Sequence, residues 1–416
     1  MTKNQKVDTA EQAEFRAHCQ SWLKENTPEA PDFRMPAMGI EIMTQEQIDY
    51  CAAWNKAAYD AGLIGTDYPV EYGGGGKTGL QAIANAEMRR AKTPIMSNPI
   101  GLGMAAPTIL YHGSEELKKR LLPTLLSGEE VWCQGFSEPG AGSDLASVQT
   151  FAEKKGDKWI INGHKVWTSC AHYSQWMILL ARTDKSEKHN GLTYFVVPIE
   201  SALGKGVTVK PLIKITGETG FNEVLFDDLE IDDNMRLDEV GAGWKVAMTT
   251  LQHERGAGKL QTPMSGGQAA NEKHAKKRGK KGVHALVTLA KNSVRNGKPV
   301  SEDPIMADKI VQAVIRQTGL KQLRRMRTAK RLIDNPERYA LPDKLLGSGY
   351  IQDVAALAVE ISGTSGTLYV GDEKAPEGGK WPLEYMGSFG LTIAGGTNEV
   401  QKNILGERVL GLAKTK

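Results

Sequence analysis

Apolar residues recur at three- and four-residue spacing along the first third of the chain, a pattern typical of amphipathic helices. Three segments show it clearly: AEQAEFRAHCQSWLKEN from residue 10, TQEQIDYCAAWNKAAYDAGL from residue 44 and GLQAIANAEMRRA from residue 79. Thr44 and Gln47 have the spacing of a capping box at the start of the second segment. The pattern therefore predicts a helical region from about residue 9 to residue 127.

The pattern changes between about residues 131 and 235. Short runs rich in β-branched and aromatic residues are separated by turn residues and predict strands, namely VWTSC, WMILLAR, TYFVVPI, VTVKPL and EVLFDDLEI. In WIINGHKVWTSC, Asn162-Gly163 lies between two such runs and predicts a hairpin turn.

Helical spacing returns from about residue 240. It is found in GWKVAMTTLQHERGAGKLQ, in ALVTLAKNSV, in a longer segment from residue 304 and in GYIQDVAALAVEISGT. Helices, then strands, then helices predict an α+β chain that is mostly α. We expect an N-terminal α-helical domain (1–128), a central β-barrel or β-sandwich domain (129–236) and a C-terminal four-helix bundle (237–416).

Composition agrees with a globular protein of two or three domains, because 40% of the 416 residues are hydrophobic and 24% are charged. No apolar run reaches the roughly 18 residues of a membrane span. The first residues lack an apolar core and include Asp8, Glu11 and Glu14, which argues against a signal or transit peptide. Four widely spaced cysteines predict free thiols, so we expect a cytoplasmic protein.

Charge is unevenly distributed although the net charge is only +3. Residues 258–331 hold 18 Lys and Arg against 4 Asp and Glu, whereas the rest of the chain holds 34 against 45. An acidic ligand such as a nucleotide phosphate or a nucleic acid would explain this asymmetry, and a solvated basic face would explain it equally well. The histidines show no metal-ligand spacing such as HExxH, so no metal site is predicted.

Residues 131–144, VWCQGFSEPGAGSD, are dense in groups that can approach a ligand. Glycines let the main chain come close to a flat ring or a phosphate, and small hydroxyls add polar contacts. The residues concerned are Gly135, Gly140, Gly142, Ser137 and Ser143. A nearby strand carries Trp167, which is followed by the hydroxyl-bearing residues Thr168 and Ser169. This combination suits a planar, polar-edged cofactor such as a flavin, while an ordinary cluster of β-turns remains the alternative.

The loop resembles the flavin- and thioester-binding loop of acyl-CoA dehydrogenases. Related segments of that family resemble GWKVAMTTLQHER at 243–255, AGGTNEVQKNILGERVLGL at 394–412 and YPVEYGGGG at 68–76, so the resemblance covers essentially the whole chain. It implies an enzyme of fatty-acid or lipid catabolism, including β-oxidation. FAD would accept a hydride at N5 while an acyl-CoA thioester becomes the trans-2-enoyl-CoA, and an electron-transfer flavoprotein would take the electrons.

The resemblance also implies where the catalytic base lies. Most members carry a Glu just before the Gly-Thr of the C-terminal segment, but Gly395 occupies that position here. The isovaleryl and long-chain types place the base on the helix after the β-domain, directly before an Arg, where this chain has Glu254 and Arg255. The implied general base is therefore Glu254, positioned by Arg255, with the backbone N–H of Gly395 donating to the thioester oxygen.

Seven further residues match positions that contact ligands in the family. Gln134 and Ser137 correspond to the pyrimidine and N5 side of the flavin, Trp167 and Ser169 to its other side, Ser143 to the pantetheine arm of the acyl-CoA, and Thr397 and Glu399 to the adenosine half of FAD.

Two departures from the family leave the quaternary contacts of FAD open. An Arg-x-x-Phe-Gly segment is missing from residues 285–304, and EISGTSG at 360–366 replaces a Gln-rich Gly-Gly segment. The chain resembles the bacterial branch, which often acts on bulky, branched or ring-bearing acyl-CoA esters and includes unequal subunit pairs. We therefore expect a homo-oligomer, as a dimer or homotetramer, or a heteromer.

Three alternative functions remain at this point. The first is an FAD-poor partner subunit of a heteromeric dehydrogenase, and the second is an acyl-CoA oxidase. The third is a DNA-associated flavoprotein, but the basic run KHAKKRGKKG contains no aromatic residues that could stack on bases. We accordingly expect neither a nucleic acid nor a membrane as partner.

Overall fold

The structure is a computed structural model that describes residues 8–33, 35–36, 39–254, 260, 262–263, 282–326 and 337–414. Its contacts divide the chain into two compact units, Met1–Lys273 and His274–Lys416. The first unit contains helices followed by a β-sheet, and the second is helical. The predicted fold class is thus confirmed, whereas the predicted domain boundaries at residues 128 and 236 stay a prediction.

The first unit begins with helices α1 to α5: Ala10–Asn26, Gln45–Asp60, Gln81–Ala91, Ala106–His112 and Glu115–Ser127. Capping boxes begin α1 and α2, because a threonine and a glutamine satisfy each other's backbone N–H groups at both starts. The box at Thr44 and Gln47 is the one that the sequence predicts.

The sheet consists, within the described residues, of eight strands in the order β6-β7-β3-β2-β4-β5-β8, with β1 paired in parallel to β4. The strands β1 to β8 are Trp132–Gly135, Phe151–Lys155, Lys158–Ser169, Trp176–Arg182, Leu192–Val197, Val207–Leu212, Phe221–Asp232 and Arg236–Leu237. A short helix α6, Ile199–Ala202, follows β5.

The predicted hairpin turn at Asn162-Gly163 is wrong. The strand β3 continues through both residues, because it pairs with β2 on one side and with β7 on the other. The register shift between Ile161 and Gly163 marks an irregularity in the pairing with β7 rather than a turn. The turn between β2 and β3 instead lies at Gly156, whose φ of +65° is readily adopted only by glycine.

Helix α7, Gly243–Glu254, follows the sheet and packs on both parts of the first unit. Its buried residue Val246 belongs to the same apolar cluster as Ile109 of α4 and Phe195 of β5. One continuous core therefore fixes α7 against helices and strands together. The remainder of the predicted helix at 255–259 and 261 lies outside the described residues.

The second unit contains helices α8 to α12: Val283–Asn292, Pro304–Met326, Glu337–Ser362, Lys380–Ile393 and Asn398–Ile404. Two short strands, β9 (Val294–Arg295) and β10 (Lys298–Pro299), connect α8 to α9. Leu286, Ile310, Leu357 and Trp381 form its separate core. In neither unit does a described helix have the length and apolarity to span a membrane.

Candidate active site

Two consecutive residues of β3, Lys165 and Val166, donate hydrogen bonds to the glycine-containing loop after β1, at residues 136–138. The N–H of Val166 donates to the carbonyl of Ser137 at 2.9 Å. The Nζ of Lys165 donates to the carbonyl of Phe136 at 3.0 Å and to Glu138 at 2.8 Å. The structure thus brings the loop and the strand that carries Trp167 together, as the sequence predicts.

Lys165 and Glu138 form a buried ion pair, since their side chains are 0% and 7% exposed. Burial lowers the pKa of Lys165 to about 8, and the charge of Glu138 opposes that fall. Burial also acts to raise the pKa of Glu138, but Lys165 and two backbone N–H groups at Gln149 and Thr150 hold that pKa below its usual range. Each group thus favours the charged form of the other.

Trp167 lies at a second irregularity in β3, where the register against β7 shifts between Lys165 and Thr168. Its φ is +59°, a value that is uncommon for a bulky residue, and its side chain is 54% exposed. The ring contacts Phe221 edge-on at a centroid distance of 5.8 Å. A strained, exposed tryptophan beside a bulge is a common sign of a functional position.

The residues that follow Trp167 are buried and polar. Asn222 of β7 donates from Nδ2 to the carbonyl of Thr168 at 3.1 Å and lies 3.1 Å from Nδ1 of His172. The hydroxyl of Thr168 is buried and has no hydrogen-bond partner in the described part of the chain. Ser169, the last residue of β3, is 8% exposed. A planar ligand with polar edges would cover the exposed ring and supply the hydrogen-bond partner that the buried hydroxyl lacks.

Glu254 is the last residue of α7 and is half-buried. One turn earlier, Thr250 is 2.9 Å from the hydroxyl of Tyr194 and 2.9 Å from the hydroxyl of Thr108. Burial raises the pKa of Tyr194, and the nearby negative charge of Glu254 adds to that rise. Tyr194 contacts Phe136 of the loop edge-on at 5.8 Å, so the helix end and the loop share a neighbour.

A second set of contacts fixes α7 on its other side. His112 lies 2.8 Å from the hydroxyl of Thr249 and 3.1 Å from the carboxylate of Asp238. Burial opposes ionisation of Asp238, but Lys245, the N–H of Glu239 and His112 together lower its pKa to about 2. The helix that carries Glu254 is thus held by hydroxyl contacts on two successive residues.

In the second unit, the turn before α12 carries the other predicted residues. Gly395 has a φ of +65° and is exposed, and its carbonyl accepts from Nε2 of Gln401 at 2.9 Å. The hydroxyl of Thr397 caps α12 by accepting from the N–H of Val400. Glu399 is exposed in the first turn of α12.

Two further predicted contact residues lie on the loop of the first unit. Gln134 is half-buried on β1, and Ser143 is exposed beyond the glycines. Arg255, predicted to position the base, lies outside the described residues.

Sequence reasoning missed the buried polar residues that support the site. Lys165 was detectable, because it shares the inward face of an alternating strand with Trp159 and Ile161, where a lysine needs acceptors. No comparable signal marks Asn222 or the hydroxyl chain of Tyr194 and Thr250, since those contacts join distant parts of the chain.

Comparison with known proteins identifies the family of this chain. The N-terminal, middle and C-terminal domains of acyl-CoA dehydrogenases match residues 9–129, 133–232 and 241–410. The acyl-CoA dehydrogenase IpdE1 of Mycobacterium tuberculosis is 37% identical over 409 residues, which cover 96% of this chain and 98% of that protein. The chain belongs to the acyl-CoA dehydrogenase family. Its cofactor is accordingly FAD, and its activity is that of an oxidoreductase acting on CH–CH bonds.

Solved structures of the family share the fold. A protein described as the Tcur3481-Tcur3483 steroid ACAD is 25% identical, with a TM-score of 0.70 over 98% of this chain and 99% of that chain. The ChsE4-ChsE5 complex from Mycobacterium tuberculosis is also 25% identical, with a TM-score of 0.69 over 99% and 100% of the two chains.

Proposed function

We propose that this acyl-CoA dehydrogenase uses Glu254 as the general base that takes the α-proton of its acyl-CoA thioester, giving the trans-2-enoyl-CoA. The observation that carries the proposal is the position of Glu254 at the half-buried end of α7, one turn after Thr250, whose hydroxyl lies 2.9 Å from that of the buried Tyr194. Removal of a weakly acidic α-proton requires a carboxylate that takes the proton as the bond to carbon breaks. Gly395, where most members carry the base, has no side chain that takes a proton.

The residues of β1, β3 and the loop fit FAD, because they combine an exposed aromatic ring, a buried hydroxyl without a partner among the described residues and two exposed glycines, Gly140 and Gly142, where an added Cβ would meet no atom within 4 Å. When bound, FAD supplies the acceptor for the hydride that leaves the β-carbon. Gln134 and Ser137 would contact one side of the flavin, and Trp167 and Ser169 the other. The hydrogen bonds from Lys165 and Val166 to residues 136–138 keep these groups in place before the ligand binds.

Five more residues complete the proposal, on the basis of family resemblance. Ser143 contacts the pantetheine arm of the acyl-CoA, which its exposure permits. The N–H of Gly395 donates to the thioester oxygen and so stabilises the negative charge that develops there as the α-proton leaves. Thr397 and Glu399 lie near the adenosine half of FAD, and Arg255 positions Glu254.

For the substrate, we infer a bulky, ring-bearing acyl group. Two observations support this inference: one solved relative is described as a steroid ACAD, and glycine at position 395 leaves space that a side chain would occupy. A panel of straight-chain, branched and steroid-like acyl-CoA esters, assayed with an artificial electron acceptor, tests this inference. Faster turnover of straight-chain esters would contradict it.

For the assembly, we infer a heteromer of this chain with a second family member. The heteromer passes its electrons to an electron-transfer flavoprotein. The two solved relatives are named as pairs of different chains, which supports this choice over a homotetramer. Native mass spectrometry of the chain alone and with candidate partners distinguishes the two, because a stable homotetramer of the isolated chain would contradict the heteromer.

Replacing Glu254 by Gln tests the mechanism. The amide keeps the size of the side chain but cannot take the proton, so we expect turnover to fall about a hundredfold to ten-thousandfold while the flavin absorption band is retained. Glu239→Gln is the matched control, because Glu239 is an exposed carboxylate just before α7. Near-full activity of the Glu254→Gln variant would show that another group is the base.

A further inference from the structure

The ammonium group of Lys165 is completely buried and donates to three oxygen atoms of different segments. They are the carbonyl of Phe136 at 3.0 Å, a carboxylate oxygen of Glu138 at 2.8 Å and the carbonyl of Leu180 at 2.8 Å. Leu180 belongs to β4, so the lysine joins the loop to the middle of the sheet. All three protons of the ammonium group are thereby used.

Glu138 extends the same network in the other direction. Its carboxylate accepts from the N–H of Gln149 at 2.6 Å and from the N–H of Thr150 at 2.8 Å, directly before β2. Ser137 lies between Phe136 and Glu138 in sequence, and its own carbonyl accepts from Val166. The backbone is therefore held at Ser137 and on both sides of it.

We propose that Lys165 and Glu138 are positioning residues for FAD: the buried pair holds residues 136–138 in the conformation that binds the flavin, without either side chain touching it. This inference rests on the proposed contact of Ser137 with the flavin. A buried ion pair is costly unless every donor and acceptor is satisfied, and a satisfied pair allows few alternative arrangements of the backbone. An apolar pair would fill the same space without fixing the direction of any carbonyl.

The pair also connects the cofactor loop to the helix that carries the base. Phe136, whose carbonyl Lys165 holds, packs edge-on against Tyr194, and the hydroxyl of Tyr194 is 2.9 Å from that of Thr250. A loop that loses the pair would therefore also loosen the contact with α7, so both sides of the reaction centre would be affected.

The test is Glu138→Gln, which keeps the size of the side chain but removes its charge. We expect FAD affinity to fall about tenfold to a hundredfold, by analogy with the loss that follows when a residue orienting a metal ligand is changed. In the same protein without added FAD, amide hydrogen exchange should become faster in peptides that cover residues 134–143 and 164–170. At saturating FAD, the visible flavin band should differ in shape from that of the wild type.

Glu87→Gln is the matched control, because Glu87 is a carboxylate 1% exposed that is paired with Arg16 at 2.6 Å and Arg90 at 3.1 Å among the N-terminal helices. This control loses a buried charge of the same kind away from the loop. It should leave FAD affinity and the exchange of both loop peptides unchanged. If Glu138→Gln does not fold, Glu138→Asp takes its place, since aspartate keeps the charge but withdraws it by one methylene group.

Two results would overturn the inference. One is wild-type FAD affinity and wild-type exchange in the Glu138 variant, and the other is an equal loss of FAD in the Glu87 control, which would indicate general destabilisation. The proposed function fails differently: a wild-type chain that binds no FAD, alone or with its partner, contradicts that function, whereas the exchange measurement without FAD still reports on the pair.

Discussion

Two backbone segments are predicted to contact ligands, and the structure holds them by different means. The loop at residues 134–143 lies on a fully buried lysine, a buried carboxylate and a strand N–H. In the turn at residues 394–397, the first two residues are exposed and the other two are half-buried. Its described hydrogen bonds are local: Gln401 donates to the carbonyl of Gly395, and Thr397 caps the helix that follows.

The difference shows which kind of substitution each segment tolerates. The loop depends on contacts between residues far apart in sequence, inside a low-dielectric interior where an unpaired group is expensive. The turn depends mainly on its own backbone conformation, so its residues can be changed at a cost set by φ and ψ. Substitutions beneath the loop should therefore be the most damaging, and those in the turn the least.

The largest effect is expected from Lys165→Met. Methionine fills much of the same volume but leaves Glu138 buried without its cation, and breaking a buried pair in this way commonly costs about 3–5 kcal/mol. Urea unfolding of the first unit, followed by the fluorescence of its tryptophans, measures the loss. Flavin binding should weaken in the same variant.

Lys158→Met is the control for that prediction, because Lys158 begins the same strand and forms an exposed pair with Glu230 at 3.0 Å. Exposed pairs contribute little, so the unfolding midpoint should stay close to that of the wild type. Equal losses in the two variants would mean that burial of the Lys165 pair has no special importance.

The next effect is smaller and steric. In Gly135→Ala, the added Cβ would lie 2.5 Å from the sulfur of Met177 and 3.1 Å from Leu179, both fully buried. Overpacking of this kind commonly costs about 1–3 kcal/mol. Gly140→Ala in the same loop is the control, because its Cβ would meet no atom within 4 Å. Comparable thermal unfolding of the two variants would contradict the tight packing of the loop on β4.

Sequence periodicity predicts most of the elements but not the course of β3. Asn-Gly is a strong local signal for a turn. In β3, however, Asn162 pairs with Phe151 of β2, and Gly163 pairs with Phe226 of β7. These pairings are non-local and outweigh the local preference. Helix α10 is likewise described from Glu337 onward, twelve residues before the segment that shows clear helical spacing.

The candidate site divides in the same way. Family resemblance predicts which groups contact ligands, such as Ser137 and Glu254, because they belong to contiguous motifs. It does not identify Lys165, whose acceptors Phe136 and Leu180 lie 29 and 15 residues away in sequence. Strand pairing decides which carbonyls surround a buried lysine, and a local sequence motif contains no information about that pairing.

The smallest effect is expected in the turn, from Gly395→Ala. The new Cβ would meet no atom within 4 Å, so the cost should come only from a φ of +65°, which disfavours alanine by about 1 kcal/mol. Gly395→Asn separates this cause from any other, because asparagine adopts the left-handed region more easily and should recover part of the loss although its side chain is larger. Thermal unfolding of the second unit ranks the variants. A larger loss with asparagine than with alanine would indicate that the turn is packed against another surface, and its contrast with the buried loop would then disappear.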